Sequence, residues 1–345
     1  PSATSGAQAA GVSSIRWALV GTSDFALEWI APALARAKGS SLAAVVSRDR
    51  SRAAAAAAQV GAAEAYASIE AIDRDLVDGV VLVTPNSAHA AGAIAALQRG
   101  LHVIVEKPMS HSVAECEQMI AAAETSGAML AVAHCMEWAP PIVAARELLE
   151  RSAIGRVHRA RIGASFLAEP GSLRRDGVAP DTGDAARFGA LFDMGVHAID
   201  TIIRLLGPVA IVRSVRTDTG DADAVAELQL ASGAAVELSS RWSADENFLE
   251  IVGTNGVLRS REWWGREFAG HLEIEQSGAT EQVPLRRANV YDAQLSHLSD
   301  AASGRRAPLT SARRGAANIA VIEAVVRSAR SGEPAPVTAP SGWLG

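Results

Sequence analysis

The sequence predicts an α/β fold: a doubly wound parallel sheet first, then an α+β domain with an open, mostly antiparallel sheet. Up to residue 137, short aliphatic runs alternate with amphipathic stretches, as in parallel strands covered by helices on both faces. Beyond residue 138, strand-like segments alternate apolar and polar residues, which is typical of a sheet with one buried face. The predicted units are a disordered tail at 1–14 and domains at 15–137 and 138–345.

The predicted strands and helices differ between the two domains in the same way. In the first domain we predict strands at 15–20, 42–47, 79–84, 102–105 and 129–133, and helices at 25–38, 50–59, 88–99 and 113–126. We expect Pro32 to kink or divide the first helix because proline lacks a backbone N–H. In the second domain we predict a helix at 142–151, strands at 157–167, 225–230, 234–241 and 248–252, and a helix within 189–207. The Gly-, Asp- and Pro-rich segment 168–189 is predicted to be a long loop.

Composition narrows the class of protein. The 345 residues carry a formal net charge of −6, which argues against general affinity for nucleic acid. No apolar run reaches the ~20 residues of a membrane span, and Pro1–Ser14 lacks the features of a signal peptide. Cys116 and Cys135 form neither a disulfide framework nor a zinc motif, so we predict reduced thiols, a cytoplasmic location and no metal. The chain begins at Pro1 rather than methionine, which leaves a removed upstream segment open.

A glycine turn follows the first strand. The run GTSDFA, Gly21 to Ala26, matches the dinucleotide fingerprint at its first and last positions, but Ser23 replaces the middle glycine. A helix N-terminus at this point offers free N–H groups to a phosphate. We predict that a dinucleotide contacts this turn through Gly21, Thr22, Ser23, Asp24 and Phe25. The alternative is an ordinary strand-to-helix turn.

The end of the second strand discriminates between the two nicotinamide cofactors. An NAD site usually has an acid there for the ribose diol. This chain has Ser47 and Arg48, with Arg52 one turn further, and these groups suit a 2′-phosphate. We therefore predict NADP, with NAD as the alternative because Asp49 is placed to face a ribose. The arginines could equally form the solvated start of a helix.

A charged pair lies at the end of the fourth strand. Glu106 and Lys107 follow HVIV and precede Pro108, which ends the strand. Ligands bind at the carboxyl ends of strands in open parallel sheets, so Lys107 is placed to donate a proton to a substrate oxygen. The alternative is an exposed surface ion pair.

The segment GALFDMGVHAIDTIIRLLG, 189–207, carries an acid and an imidazole on one helix face. Asp193 and His197 are four positions apart, away from an apolar stripe of isoleucines and leucine. Histidine is the side chain best suited to proton transfer near neutral pH. The alternative is a solvated polar face that also includes Asp200 and Arg204.

Together these motifs resemble the glucose–fructose oxidoreductase / inositol dehydrogenase / MocA-like family. The order of the glycine turn, Glu-Lys-Pro and the G-x-x-x-D-x-G-x-H-x-x-D helix carries the resemblance, which spans about residues 15–330. VTPNSAHA, 83–90, resembles the family's Pro-x-x-x-His segment, and FLEIVGTNGVL, 248–258, its late strand pair. GTSDFALEWIAPAL and NVYDAQLSHLSDAASG are most similar to members of the 1,5-anhydro-D-fructose reductase type, which use NADPH.

The resemblance implies a Rossmann domain and an NADP- or NAD-dependent oxidoreductase acting on a sugar-like substrate. Lys107 and His197 would be the proton-transfer pair, with Asp193 orienting them. Further cofactor contacts would come from Thr84, Pro85, Asn86, His89, Glu106, Lys107 and Pro108. Arg174, Arg175 and His197 would touch substrate. The resemblance also implies a homo-oligomer, dimer or tetramer, formed through the C-terminal sheet.

Three positions depart from the family pattern and bear on the substrate. The chain has Glu137-Trp138 where an arginine is frequent, Leu173-Arg174 where Trp-Arg is frequent, and Ala190 in place of a glycine. The rival functions are a dihydrodiol-type dehydrogenase, a hydride-shuttling glycosidase, and a dinucleotide-binding regulator without turnover.

Overall fold

A computed structural model describes residues 14–167, 189–217 and 223–339. Its first sheet has six parallel strands in the order β3-β2-β1-β4-β5-β6. These are β1 (Ile15–Val20), β2 (Ser40–Val46), β3 (Glu64–Tyr66), β4 (Gly79–Leu82), β5 (His102–Val105) and β6 (Leu130–Val132). The doubly wound parallel sheet is therefore confirmed. Strand order reverses between β1 and β4, and the carboxyl ends there form the crevice in which such sheets bind ligands.

Helices cover both faces of this sheet. They are a π-helical turn (Ala26–Ile30) leading into α1 (Ala31–Arg36), then α2 (Arg50–Val60), α3 (His89–Gln98) and α4 (Val113–Ser126). Pro32 stands in the first turn of α1, where the π-helical turn passes into the α-helix. Short 3-10 turns at Asn86–Ala88 and Cys135–Trp138 follow β4 and β6.

The second sheet has nine strands in the order β15-β14-β12-β11-β7-β10-β9-β8-β17. They are β7 (Val157–Ser165), β8 (Val209–Thr217), β9 (Ala224–Leu230), β10 (Ala235–Arg241), β11 (Phe248–Gly253), β12 (Val257–Ser260), β14 (Glu273–Gln276), β15 (Ala279–Gln282) and β17 (Ala335–Pro336). Only β7 and β10 pair in parallel within this sheet as described, so the mostly antiparallel prediction is confirmed. A small separate pair joins β13 (Glu267–Phe268) to β16 (Ala288–Asn289).

Four helices accompany the second sheet. They are α5 (Pro140–Glu150), α6 (Val196–Leu206), which continues a π-helical turn at Leu191–Gly195, α7 (Val290–Ala302) and α8 (Ala312–Ser331). Helix α8 packs against α4 and β6 of the first sheet's domain as well as against α6 and β8. The last helix thus returns to the beginning of the chain, and buried apolar side chains from both sheets form one continuous cluster.

Two further sequence predictions concern the cysteines and membranes. Cys116 and Cys135 are both buried and unpaired. Among the helices described, none combines the length and the apolar composition that crossing a bilayer requires.

Candidate active site

The glycine turn brings the end of β1 into close contact with the residue that follows β4. Gly21 has φ +120°, and a Cβ on it would lie 2.1 Å from the carbonyl oxygen of Val83. Only glycine therefore lets β1 pass so close to the end of β4. The hydroxyl of Ser23 accepts a hydrogen bond from the amide of Ala26 at 3.3 Å, which caps the first helical turn and leaves its proton free to donate. Thr22, Asp24 and Phe25 are all at least partly exposed along the same turn.

Asp49, the acid considered for the ribose at the end of β2, caps a helix instead. Oδ1 of Asp49 accepts from the amides of Ser51 and Arg52, at 2.9 and 3.1 Å, and caps α2. These hydrogen bonds, with that from the Ser51 hydroxyl first, lower the pKa of Asp49. Arg48 and Arg52 are exposed, and within the described ranges neither forms an ion pair with a carboxylate. Ser47 lies half-buried beside them.

The segment after β4 presents polar groups to the crevice. Thr84 has a buried hydroxyl without a hydrogen-bond partner in the described residues, and Pro85 and Asn86 reach the surface next to it. His89 behaves differently, because it is fully buried and its ring nitrogens lie 2.9 Å from the Pro108 carbonyl oxygen and 3.0 Å from that of Thr84. Burial lowers the pKa of His89 to about 4. His89 thus ties the two loops together, and we assign it positioning rather than direct cofactor contact.

The Glu-Lys-Pro turn lies at the carboxyl end of β5, as predicted. Glu106 is buried, and its Oε2 accepts from the backbone N–H of Lys107 at 3.1 Å. Burial raises the pKa of Glu106 to about 7, against the pull of the Lys107 charge. The Lys107–Pro108 peptide bond is cis. The alternative of an exposed ion pair between Glu106 and Lys107 is therefore wrong.

Lys107 is joined to Asp193 across the two parts of the molecule. Its Nζ donates to Oδ1 of Asp193 at 2.8 Å and to the backbone carbonyl of Asp193 at 3.0 Å. The other carboxylate oxygen accepts from the indole N–H of Trp242 at 3.3 Å. Burial opposes the charge on Lys107, but the carboxylates of Asp193 and Glu106 outweigh it, so the pKa of Lys107 lies above its ordinary value. At neutral pH Lys107 therefore holds its proton.

His197 lies four residues beyond Asp193, where the π-helical turn becomes α6. Such turns recur at functional sites. The ring is only 2% exposed and stands edge-on to the indole of Trp264, with 4.4 Å between ring centroids. Burial first, then the charge of Lys107 and the neighbouring His134, hold the pKa of His197 well below 6.5. The imidazole is therefore neutral at neutral pH, beside a protonated lysine.

The solvated alternative for this helix face is wrong. Asp200 is 1% exposed, and Arg314 Nε donates to its Oδ1 at 2.7 Å. Arg204 donates instead to Glu137 at 2.9 Å. What looked like a polar surface is buried because α5 and α8 cover it with compensating charges.

Glu137 explains one departure from the family pattern. This buried carboxylate accepts from Arg146 of α5 at 2.9 Å, from Arg204 of α6 at 2.9 Å and from Arg314 of α8 at 2.7 Å. An acid at this position therefore joins three helices behind the site instead of facing a substrate.

The structure thus brings together Lys107, Asp193 and His197, with Glu106 beneath them and the glycine turn along the same sheet edge. Arg174 and Arg175 lie outside the described residues. Sequence reasoning missed His134 and Trp264, which lie beside His197, and Tyr291, which lies near Glu106. The two adjacent tryptophans of REWWG were the one sequence feature that could have pointed to these residues. A single His or Tyr does not by itself indicate a site.

Comparison with known proteins identifies one family for both parts of the chain. Residues 15–134 match the oxidoreductase family model for its NAD-binding Rossmann fold, and residues 179–338 match the model for its C-terminal alpha/beta domain. The 1,5-anhydro-D-fructose reductase of Ensifer adhaerens is 28% identical over 332 residues, covering 93% of this chain and 98% of that protein. The D-xylose 1-dehydrogenase (NADP(+)) 2 of Haloferax volcanii is 27% identical over 322 residues, covering 91% and 97%.

Among solved structures, the aldose–aldose oxidoreductase from Caulobacter crescentus complexed with glycerol superimposes with a TM-score of 0.84 at 26% identity. The likeness covers 94% of this chain and 99% of that one.

Proposed function

This chain belongs to the glucose–fructose oxidoreductase / inositol dehydrogenase / MocA-like oxidoreductase family, and on that premise we propose that it transfers a hydride between NADP and a sugar-like carbonyl or alcohol. The observation that carries the proposal is the 2.8 Å contact between Lys107 Nζ and Asp193 Oδ1, beside the buried ring of His197. A protonated lysine and a neutral imidazole at the ligand-binding edge of a Rossmann sheet are what carbonyl reduction requires.

The residues present fit a dinucleotide. Gly21 leaves room where a Cβ would collide with the backbone. The hydroxyl of Thr84, which has no partner among the described residues, lies at the adjacent strand end. When bound, the nicotinamide ring supplies or accepts the hydride. The chain's own contribution is positioning and proton transfer: Lys107 gives its proton to the substrate oxygen in reduction, and Asp193 holds the ammonium in place.

We favour NADP over NAD on the charges at the end of β2. Arg48 and Arg52 are exposed cations, whereas the carboxylate of Asp49 accepts hydrogen bonds from the amides that begin α2. A capping carboxylate turned toward its own helix is poorly placed to bind a ribose diol, and exposed guanidinium groups suit a phosphate. The named NADP(+)-dependent relative supports the same choice.

The proposed substrate is a keto-sugar, reduced with NADPH, or a sugar or polyol, oxidised with NADP⁺. The names of the two curated relatives support this class. The partly exposed indole of Trp264 beside His197 also supports it, because an aromatic face packs well against the C–H face of a sugar ring.

The test is turnover with a panel of substrates. NADPH consumption is followed with keto-sugars including 1,5-anhydro-D-fructose, and NADP⁺ reduction with aldoses, polyols and a cyclic dihydrodiol. We expect turnover of at least one sugar, and a loss of about 10²-fold or more in Lys107→Met. Lys38→Met, an exposed lysine, is the matched control and keeps full activity.

Several outcomes would contradict the proposal. Full activity of Lys107→Met would remove the site assignment. Turnover of the dihydrodiol alone would change the substrate class. NADPH binding without turnover of any compound would favour a regulatory protein.

A further inference from the structure

Two buried imidazoles face each other behind the proposed proton-transfer site. His134 follows β6 and is 1% exposed, and its ring centroid lies 6.4 Å from that of His197, with the planes at 87°. Nδ1 of each ring is buried, and neither has a hydrogen-bond partner in the described part of the chain. Buried polar atoms are nearly always satisfied, so each of these two nitrogen atoms calls for a partner.

Asn318 determines which nitrogen of His134 carries the proton. Its side-chain nitrogen lies 3.0 Å from Oδ1 of Asp200 and 2.9 Å from Nε2 of His134. Burial raises the pKa of Asp200, but Arg314 and the hydrogen bonds outweigh it, so the carboxylate is ionised and can only accept. The amide therefore turns its NH₂ toward Asp200, and that same NH₂ donates to Nε2 of His134.

His134 consequently presents a donor at Nδ1. Burial lowers its pKa to about 4, so the ring is neutral and has one N–H. Because Nε2 accepts from Asn318, the proton is on Nδ1. His197 is neutral as well and has one N–H and one acceptor nitrogen. At 6.4 Å between centroids, the rings are too far apart for a direct hydrogen bond between their nitrogen atoms.

We propose that His134 is a positioning residue that sets the tautomer of His197 through one buried water. The water accepts from Nδ1–H of His134 and donates to Nδ1 of His197, so the proton of His197 is on Nε2. Waters of this kind satisfy otherwise unpartnered buried groups. The catalytic meaning of the proposal rests on the function proposed above, but the tautomer itself does not.

This tautomer gives Lys107 and His197 different roles. With a proton on Nε2, His197 can donate a hydrogen bond to the substrate oxygen but cannot accept a proton there. In reduction the carbonyl carbon gains the hydride, the π pair of the C=O bond moves to oxygen, and Lys107 gives its proton to that oxygen and becomes a neutral amine. His197 orients the oxygen and keeps its own proton.

The first experiment reads the tautomer directly. The full chain is labelled with ¹⁵N-histidine, and the ring nitrogens are recorded by long-range ¹H–¹⁵N correlation at pH 7, with His197→Gln assigning the signals of His197. We expect His197 as the Nε2–H form and His134 as the Nδ1–H form. In His134→Phe we expect His197 to become a mixture of tautomers, whereas His102→Gln, remote from the site, leaves it unchanged.

An Nδ1–H form of His197 in the unsubstituted protein would overturn the proposal, and so would a tautomer unaffected by His134→Phe. If His134→Phe does not fold, the spectrum of the unsubstituted protein still shows which tautomer His197 adopts. His134→Gln then shows whether that tautomer depends on His134. These readings need neither cofactor nor substrate, so they hold whether or not the proposed function does.

The second experiment measures coupling by a double-mutant cycle. His134→Phe is expected to lower kcat about tenfold while NADPH affinity stays unchanged, and to cause no further loss in a His197→Gln background. Equal losses in both backgrounds would mean that His134 only supports the fold. If the tautomer behaves as expected and no substrate is turned over, the proposed function fails while this inference stands.

Discussion

Nζ of Lys107 lies 2.8 Å from Oδ1 of Asp193, so the end of the first sheet is tied to the helix that carries His197. The two side chains come from opposite parts of the molecule and are only 20% and 11% exposed. A charged contact this sheltered is screened little by solvent, and it determines both the position and the protonation of the lysine.

Replacing Asp193 by Asn should shift the pH profile of reduction. The carboxylate raises the pKa of Lys107, whereas burial lowers it, so its loss leaves burial dominant. Because reduction needs protonated Lys107, the alkaline fall in kcat should move to lower pH, with kcat at pH 7 reduced about 10²-fold. Trp242→Phe, which keeps the carboxylate and removes one donor to it, should shift the profile less. An alkaline limb that stays in place would show that Lys107 is not the titrating group.

The cofactor prediction is tested by Arg52→Ala. Removing a charged hydrogen-bond donor to a phosphate costs about 1.5–3 kcal/mol, so NADPH affinity should fall about 10–100-fold. NADH affinity should stay within about twofold, since NADH has no 2′-phosphate. Binding is measured by fluorescence titration. Arg151→Ala is the control, because Arg151 is an exposed arginine that follows helix α5, outside the first sheet and its helices. Equal losses for both cofactors would argue against a 2′-phosphate site at the end of β2.

Gly21→Ala should damage the cofactor turn more than a comparable glycine replacement elsewhere. Its new Cβ would meet the Val83 carbonyl oxygen at 2.1 Å, so the strand end must move. Gly61, which ends α2 with φ +72°, has open space around it, and Gly61→Ala should cost only about 1–2 kcal/mol of backbone strain. We expect Gly21→Ala to lower Tm further and to abolish measurable NADPH binding. Equal Tm values with intact binding would contradict the close approach.

Glu137→Gln should be strongly destabilising. It removes the buried charge that accepts hydrogen bonds from Arg146, Arg204 and Arg314, and breaking such a pair costs about 3–5 kcal/mol. Glu124→Gln is the matched control, because Glu124 pairs with Arg313 at the surface and its loss should cost less than about 1 kcal/mol. Urea unfolding measures both. Similar losses would mean that the three arginines find other partners.

His89 makes stability depend on pH. Its pKa is about 4 in the folded protein against 6.5 ordinarily, so between these values the unfolded chain binds a proton that the folded protein does not. The contribution of His89 to the free energy of unfolding is therefore complete above pH 6.5 and is lost as pH falls toward 4. Glu106, with a pKa raised to about 7, has the opposite effect, because its contribution is lost as pH rises. The destabilisation caused by His89→Gln should thus be smaller at pH 5 than at pH 7. A constant difference across that range would contradict a neutral, buried His89.

The parallel sheet was predictable because its strands are continuous apolar runs between helix signals. Strand β3 was missed, since Glu64-Ala-Tyr66 is short and lacks such a run. The long helix α8 was also not predicted, although Ser311 caps it and Gly332 ends it. Its many alanines and arginines obscure the apolar face that the structure buries.

In the site, the sequence pointed to Lys107, Asp193 and His197, because their types and positions relative to strand and helix ends carry chemical meaning. It could not predict that Asp200 is buried, because that depends on Arg314, far along the chain. His134 was missed for the same reason, since its role becomes visible only beside Asn318. Long-range charge compensation leaves no local pattern.

Helix α8 supplies both Arg314 and Asn318, and it packs on the first sheet's domain although it is the last helix of the chain described. During synthesis the nucleotide-binding sheet can assemble as soon as its own strands have emerged from the ribosome. The polar cluster behind His197 must wait for residues 314–318. A nascent chain can therefore assemble its first sheet before the polar cluster behind His197 is complete.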